Sequence, residues 1–170
     1  MRFAQVRLAC ALALSAATAP CLAAEPARIV FALPVGAACI SSPFGERVVQ
    51  GPRASRFHNG IDLPAPAGAG VKAAAAGRIT SIRRLGASGL EIAIAHGNGI
   101  VTRYAHLGSV APPFASGKRT VVQGEVLGRV GRTGVTYGTH LHFEVHVNDI
   151  RVDPALFIAL PRCGSAQASR

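Results

Sequence analysis

Apolar residues in this chain come in short runs cut by Gly, Pro and Asn, and no long segment repeats with the period of an amphipathic helix. Segments 29–33, 70–74, 78–83, 90–96, 100–104, 126–130 and 140–147 each read as a strand bounded by turn residues. The pattern predicts an all-β fold. Its clearest stretch is 140–147, where side chains alternating with period two put His140, His142, Glu144 and His146 on one face and Leu141, Phe143, Val145 and Val147 on the other. A helix would scatter the imidazoles round the cylinder, and the β-branched and aromatic residues favour the strand. One face looks like chemistry and the other like core. Taken alone, His-x-His also fits ordinary hydrogen-bonded or surface histidines.

One apolar run breaks the strand pattern. Residues 1–23 read as a secretory signal: Arg2 and Arg7 form a positive start, Leu8 to Ala19 an apolar stretch, and Cys21-Leu22-Ala23 a small-x-small cleavage pattern. A membrane anchor is the alternative, but the run is shorter than the roughly 20 residues that span a bilayer and Pro20 breaks it. A lipoprotein is a weaker rival, because neither Cys10 nor Cys21 follows a convincing lipobox. The expectation is an exported protein, periplasmic or extracellular, with no stable membrane insertion after cleavage. Residues 24–39 form a lead-in, 40–160 a single domain and 161–170 a tail.

Export changes how cysteine and charge are read. Cys10 and Cys21 leave with the signal, so Cys39 and Cys163 remain as an even pair in an oxidising compartment and are expected to form a disulfide. The formal charge of +10 favours anionic surroundings. Nucleic acid is set aside, since no helix-turn-helix, zinc finger or aromatic stacking platform is present and the signal argues against it. An anionic envelope polymer or membrane surface fits better.

Two further segments carry chemistry. His58 and Asp62 lie four apart around the Asn59-Gly60 turn, with Pro64 close behind. Imidazole and carboxylate are donors that zinc accepts together, and with one histidine from 140–147 they make three ligands and leave a fourth position open. By itself the pair also fits an ordinary turn. His106 ends an apolar strand before Gly108-Ser109, and Tyr104, two residues earlier, is placed on the cleft side by alternation, with buried packing as its alternative. His146 and His96, the latter in the His96-Gly97-Asn98-Gly99 turn, read as structural or surface residues. The strand pattern leaves the choice between His140 and His142 as ligand open.

The ordered set Phe57-His58-Asn59-Gly60-Ile61-Asp62-Leu63, Val71-Lys72-Ala73, Gly77-Arg78-Ile79, His96-Gly97-Asn98-Gly99, Tyr104-Ala105-His106-Leu107, Gly131-Arg132-Thr133-Gly134 and Gly138-Thr139-His140-Leu141-His142-Phe143-Glu144 closely resembles the lysostaphin-type, LytM-like zinc metallopeptidases. The resemblance runs over roughly residues 40–157. It implies a mainly antiparallel sheet forming a groove, with long loops and little helix. It also implies a zinc metalloendopeptidase that cuts stem or cross-link peptides of peptidoglycan. By the same resemblance His58, Asp62 and His142 hold one zinc ion, and His106 and His140 are the catalytic histidines. Glu144 is a candidate to orient a ligand imidazole, with an exposed carboxylate as its alternative. A regulatory envelope protein is a candidate partner.

Departures border the implied groove: Gly86-Ala87-Ser88-Gly89-Leu90 lacks the family's usual aromatic, and segment 111–119 looks longer and more irregular. A non-catalytic wall-binding or hydrolase-activator module on the same fold is the rival reading. Such relatives typically lack a ligand, and all five residues are present here.

Overall fold

A computed structural model of the 170-residue chain describes residues 29–37, 39–48 and 55–164. The expected signal, the start of the lead-in and residues 165–170 of the tail lie outside the described residues.

Strands β1 (Gly45–Glu46) and β2 (Phe57–His58) form a small antiparallel ribbon in which Gly45 faces His58. The other nine strands make one antiparallel sheet: β3 (Ile61–Pro64), β4 (Gly70–Lys72), β5 (Gly77–Leu85), β6 (Gly89–Ala95), β7 (Ile100–Val110), β8 (Thr120–Val121), β9 (Val126–Val130), β10 (His140–Val147) and β11 (Ile150–Val152). Its main path runs β11-β10-β7-β6-β5-β8. Turn chemistry sets the hairpins. Asn148 and Asp149, both left-handed with φ of 50° and 64°, are the two residues between paired Val147 and Ile150, as a tight β10–β11 hairpin demands.

Two long strands change neighbours along their length, and this shapes the groove. On one edge β10 pairs with β7 over 142–147; on the other, β3 takes 140–143 and β11 takes 145–147. Strand β7 pairs with β10 over 100–105 and with β9 over 107–110. His106 stands at that change of partner.

Alternation along β10 holds as expected. Leu141, Phe143 and Val145 are fully buried and pack with Ile61, Leu63, Ile92, Ile94, Leu107 and Leu127 in the core. Four of the predicted strands match within a residue or three: 78–83, 90–96, 126–130 and 140–147. The segment 70–74 is a strand only to Lys72, after which Ala73 N donates to Glu125 O at 2.9 Å.

Three expectations are corrected. Segment 29–33 is no strand: it makes single backbone bonds, such as Ala32 N to Ala74 O at 2.8 Å, and serves instead to seat Phe31 in the core against Phe157, ring centroids 5.1 Å apart. Strand β7 does not end at His106 but continues to Val110 through a register shift after Leu107. Segment 111–119, expected to border the groove, does not line it; it contains a one-turn helix, α1 (Pro112–Ala115), that buries Phe114 in the core.

Cys39 and Cys163 are disulfide-bonded, 124 residues apart in sequence. Ile40 N donates to Pro161 O at 2.8 Å and Cys163 N to Ile40 O at 2.9 Å, so residues 161–163 are fastened to the domain rather than trailing from it.

Candidate metal centre

The approach of β3 to β10 builds the centre. Asp62 lies opposite His142 in the ladder, and side chains of directly opposed residues share a face. Between β2 and β3, Gly60 lies so close to β10 that a Cβ there would collide with the Phe143 carbonyl. This contact brings His58 alongside Asp62. His58 Nε2, Asp62 Oδ1 and His142 Nδ1 form a near-equilateral triangle: 3.0 Å between the two nitrogens, 3.1 Å from His58 to Asp62 and 3.0 Å from His142 to Asp62. A tetrahedral zinc with bonds of about 2.0–2.1 Å separates its ligand atoms by about 3.3 Å, so this donor set fits such an ion with a few tenths of an ångström of expansion.

Each donor is held from behind. His58 Nδ1 donates to Pro43 O at 2.8 Å, which leaves Nε2 as the lone-pair donor. His142 Nε2 meets Glu144 Oε1 at 3.1 Å, and Glu144 Oε2 meets His146 Nε2 at 2.7 Å. Asp62 Oδ2 accepts from Arg47 Nη2 at 3.1 Å. Burial alone would push both carboxyls up, but hydrogen bonds from imidazoles outweigh it. Asp62 is held well below the carboxylate range by His142 and His58, and Glu144 is lowered to about 2 by His142 and His146. Burial pulls the other way on His142, yet its two carboxylate partners raise it to about 9. An imidazole set between two carboxylates belongs to a cluster that favours a positive charge at its centre.

His106 and His140 stand beside the triangle. Their ring centroids are 5.0 Å apart, and that of His106 is 5.8 Å from His142. His140 Nε2 lies 3.4 Å from Asp62 Oδ1, while its Nδ1 is 3.1 Å from Gly138 O. His106 Nδ1 donates to Thr133 O at 2.8 Å. Burial is the main cause that lowers both imidazoles, His106 to about 4.

His106 reaches this place against the alternation of its own strand. Ala105 is opposite His142 and Tyr104 opposite Phe143, so strict alternation would send His106 to the core side with Tyr104. Its backbone is left-handed, φ 61°, and that turns the ring into the groove. The cleft placement expected for Tyr104 is therefore corrected. Tyr104 is fully buried against Phe143, its hydroxyl accepting from Ala74 N at 2.8 Å, and burial pushes it up to about 12.

The histidines line an open groove of about 510 Å³, rimmed by Phe57, Asn59, Ser88, Val135 and Tyr137. His146 is buried and bonded to Glu144, and His96 bridges Ala76 O and Thr102 Oγ1, so both are structural as expected. Sequence reasoning passed over Arg47, Ser42 and the carbonyls of Pro43, Thr133 and Gly138. The carbonyls leave no trace in residue type. Arg47 left one signal, a cation just ahead of the His58 segment.

Residues 56–154, more than half of the chain, match the family described as Peptidase family M23. The chain belongs to this family. It is 43% identical over 131 residues to the DD-carboxypeptidase/endopeptidase Mpg of Neisseria meningitidis, an alignment covering 77% of this chain and 29% of that protein. The chain therefore spans under a third of the length of that curated relative. Among solved structures it resembles a zinc-containing peptidase from Vibrio cholerae, with a TM-score of 0.64, 33% identity, and 79% of this chain and 41% of the other covered. It also resembles the catalytic domain of lysostaphin from Staphylococcus simulans, with a TM-score of 0.60, 25% identity, and coverage of 69% and 90%. The M23 centre thus sits on a fold shared with solved peptidases, one of them described as containing zinc.

Proposed function

We propose that this M23 protein is an exported zinc metalloendopeptidase hydrolysing peptide bonds in the stem or cross-link peptides of peptidoglycan. One observation carries the reading: the three-donor triangle opens onto a groove in which two further imidazoles stand beside it. His58, Asp62 and His142 hold a single zinc ion. Zinc, when bound, polarises a scissile carbonyl and lowers the pKa of water towards about 7. The remaining chemistry belongs to His106 and His140. With Nδ1 of each turned to a carbonyl, Nε2 keeps its lone pair in the neutral ring, and burial favours that neutral ring at neutral pH. One takes a proton from water onto Nε2; the other, protonated on Nε2 from solvent through the open groove, donates to the carbonyl oxygen as negative charge develops there. Glu144 and Pro43 O keep the ligand rings in the tautomers that present lone pairs.

Export rests on residues 1–23 as a signal and on a disulfide suited to an oxidising compartment. Among the described residues no helix is long and apolar enough to cross a membrane. The catalytic domain is taken as 40–160, a regulatory envelope protein is a candidate partner, and peptidoglycan is the substrate that the names of relatives such as Peptidoglycan DD-endopeptidase ShyB support.

The test is zinc-dependent release of peptide fragments from purified peptidoglycan, with metal content measured beside activity. The mature chain should cut, His58→Ala should lose both zinc and activity, and His140→Ala should keep zinc and lose activity. Zinc held by a wild type that releases nothing from walls of several chemotypes would overturn the endopeptidase reading.

A further inference from the structure

Among the described residues, Arg47 reaches the donor triangle from the segment just after β1, outside the nine-stranded sheet. Its Nη2 lies 3.1 Å from Asp62 Oδ2 and 2.8 Å from Ser42 Oγ, and Ser42 Oγ is 3.3 Å from His58 Nδ1. One guanidinium thereby touches one of the three donors directly and a second through a hydroxyl. Its placement is built into the backbone. Arg47 N donates to Arg56 O at 2.8 Å in the ribbon that carries His58, and Asp62 N donates to Ser42 O at 2.9 Å.

The two oxygens of Asp62 are divided between tasks. Oδ1 faces three imidazoles, at 3.0 Å from His142, 3.1 Å from His58 and 3.4 Å from His140, while Oδ2 faces Arg47. A carboxylate with both oxygens free can turn to give both to a cation, and the second would take a position that a catalytic site leaves open. Arg47 Nε is buried with no hydrogen-bond partner among the described residues, so the side-chain contacts of its guanidinium are those of Nη2 to Asp62 and Ser42. We propose that Arg47 is a positioning residue that engages Oδ2 so that Asp62 offers the ion one oxygen, keeping a coordination position open towards His106 and His140. This rests on the zinc-site reading above.

The test uses the mature, disulfide-bonded protein loaded with zinc or with cobalt(II), comparing wild type, Arg47→Gln and Arg47→Lys. Folding is followed by circular dichroism, metal affinity by competition with a chelator, and coordination by the visible absorption of cobalt. Arg47→Gln should bind zinc about 10–100-fold more weakly, with a weaker cobalt band, as expected when a second carboxylate oxygen raises the coordination number. Arg47→Lys should fall short of wild type in both, because a single ammonium lacks the planar fork. Adding guanidinium ion to a third variant, Arg47→Ala, should move the cobalt band back towards wild type. A folded Arg47→Gln with wild-type cobalt absorption and zinc affinity overturns the proposal and leaves an ordinary ion pair. If Arg47→Gln does not fold, the cobalt spectrum of Arg47→Lys decides in the same way. Peptidoglycan cleavage by wild type is read separately, so a wild type that binds cobalt without cutting removes the endopeptidase reading and leaves the Arg47 comparison standing.

Discussion

Each histidine at the centre has one ring nitrogen committed to an acceptor behind it, and that commitment decides what the other nitrogen can do. The commitment is anionic only for His142, whose Nε2 meets Glu144. Glu144→Gln keeps the shape but removes the charge, so zinc affinity should fall about tenfold or more in chelator competition. Away from the centre, His96 titrates on its own account. Burial lowers its pKa below the ordinary 6.5, so the unfolded chain binds its proton more readily than the fold does. Its contribution to stability is therefore present above about pH 6.5 and is lost as pH falls towards the folded value. Denaturant midpoints measured from pH 8 to pH 5 should decline less steeply in His96→Gln than in wild type.

At the scale of elements, the centre depends on two strand contacts that no single motif contains. The β2–β3 turn must touch β10, and the Gly60 contact with the Phe143 carbonyl leaves no space for a side chain. Gly60→Ala should push β3 away from β10, lowering stability by about 1–3 kcal/mol and weakening zinc binding. Thermal melts and metal content, read on the same samples, check both. Strand β7 supplies the second contact through its left-handed residue. At His106 the ladder passes from β10 to β9, and the break in alternation lets one strand send Tyr104 to the core and His106 to the groove.

For the whole molecule, the Cys39–Cys163 link joins the segment that leads into Ser41, Ser42, Pro43 and Arg47 to the far end of the chain. Those residues stand behind His58 and Asp62, so the staple bears on the centre as well as on stability. Ser41 N donates to Asp62 O at 3.0 Å, directly after the stapled turn. Closing a loop of this length stabilises by about 4–5 kcal/mol in the chain-entropy model. Reduction, or Cys39→Ser with Cys163→Ser, should lower the melting temperature and weaken zinc binding together. A melt that shifts while zinc affinity stays at the wild-type value would show that the staple serves stability alone.

The sequence by itself determined the local pattern: strands where apolar and polar residues alternate, hairpins where Asn, Asp and Gly allow left-handed backbone, a row of imidazoles on one face of 140–147, and the segments that resemble the family. Those features depend on near neighbours in the chain, and residue type reports them directly. Tertiary structure alone decided which atoms meet. Tyr104 went to the core because it lies opposite Phe143 in the ladder, while His106 reaches the groove through a left-handed backbone, φ 61°, a break of which alternation in sequence contains no sign. Segment 29–33 had strand composition but found only isolated backbone partners, because pairing depends on an edge supplied from elsewhere in the fold. The carbonyls of Pro43, Thr133 and Gly138 orient three imidazoles although every residue has a carbonyl, so their role comes from position alone. Arg47 reaches Asp62 across 15 residues of chain, a distance that only the packed ribbon closes.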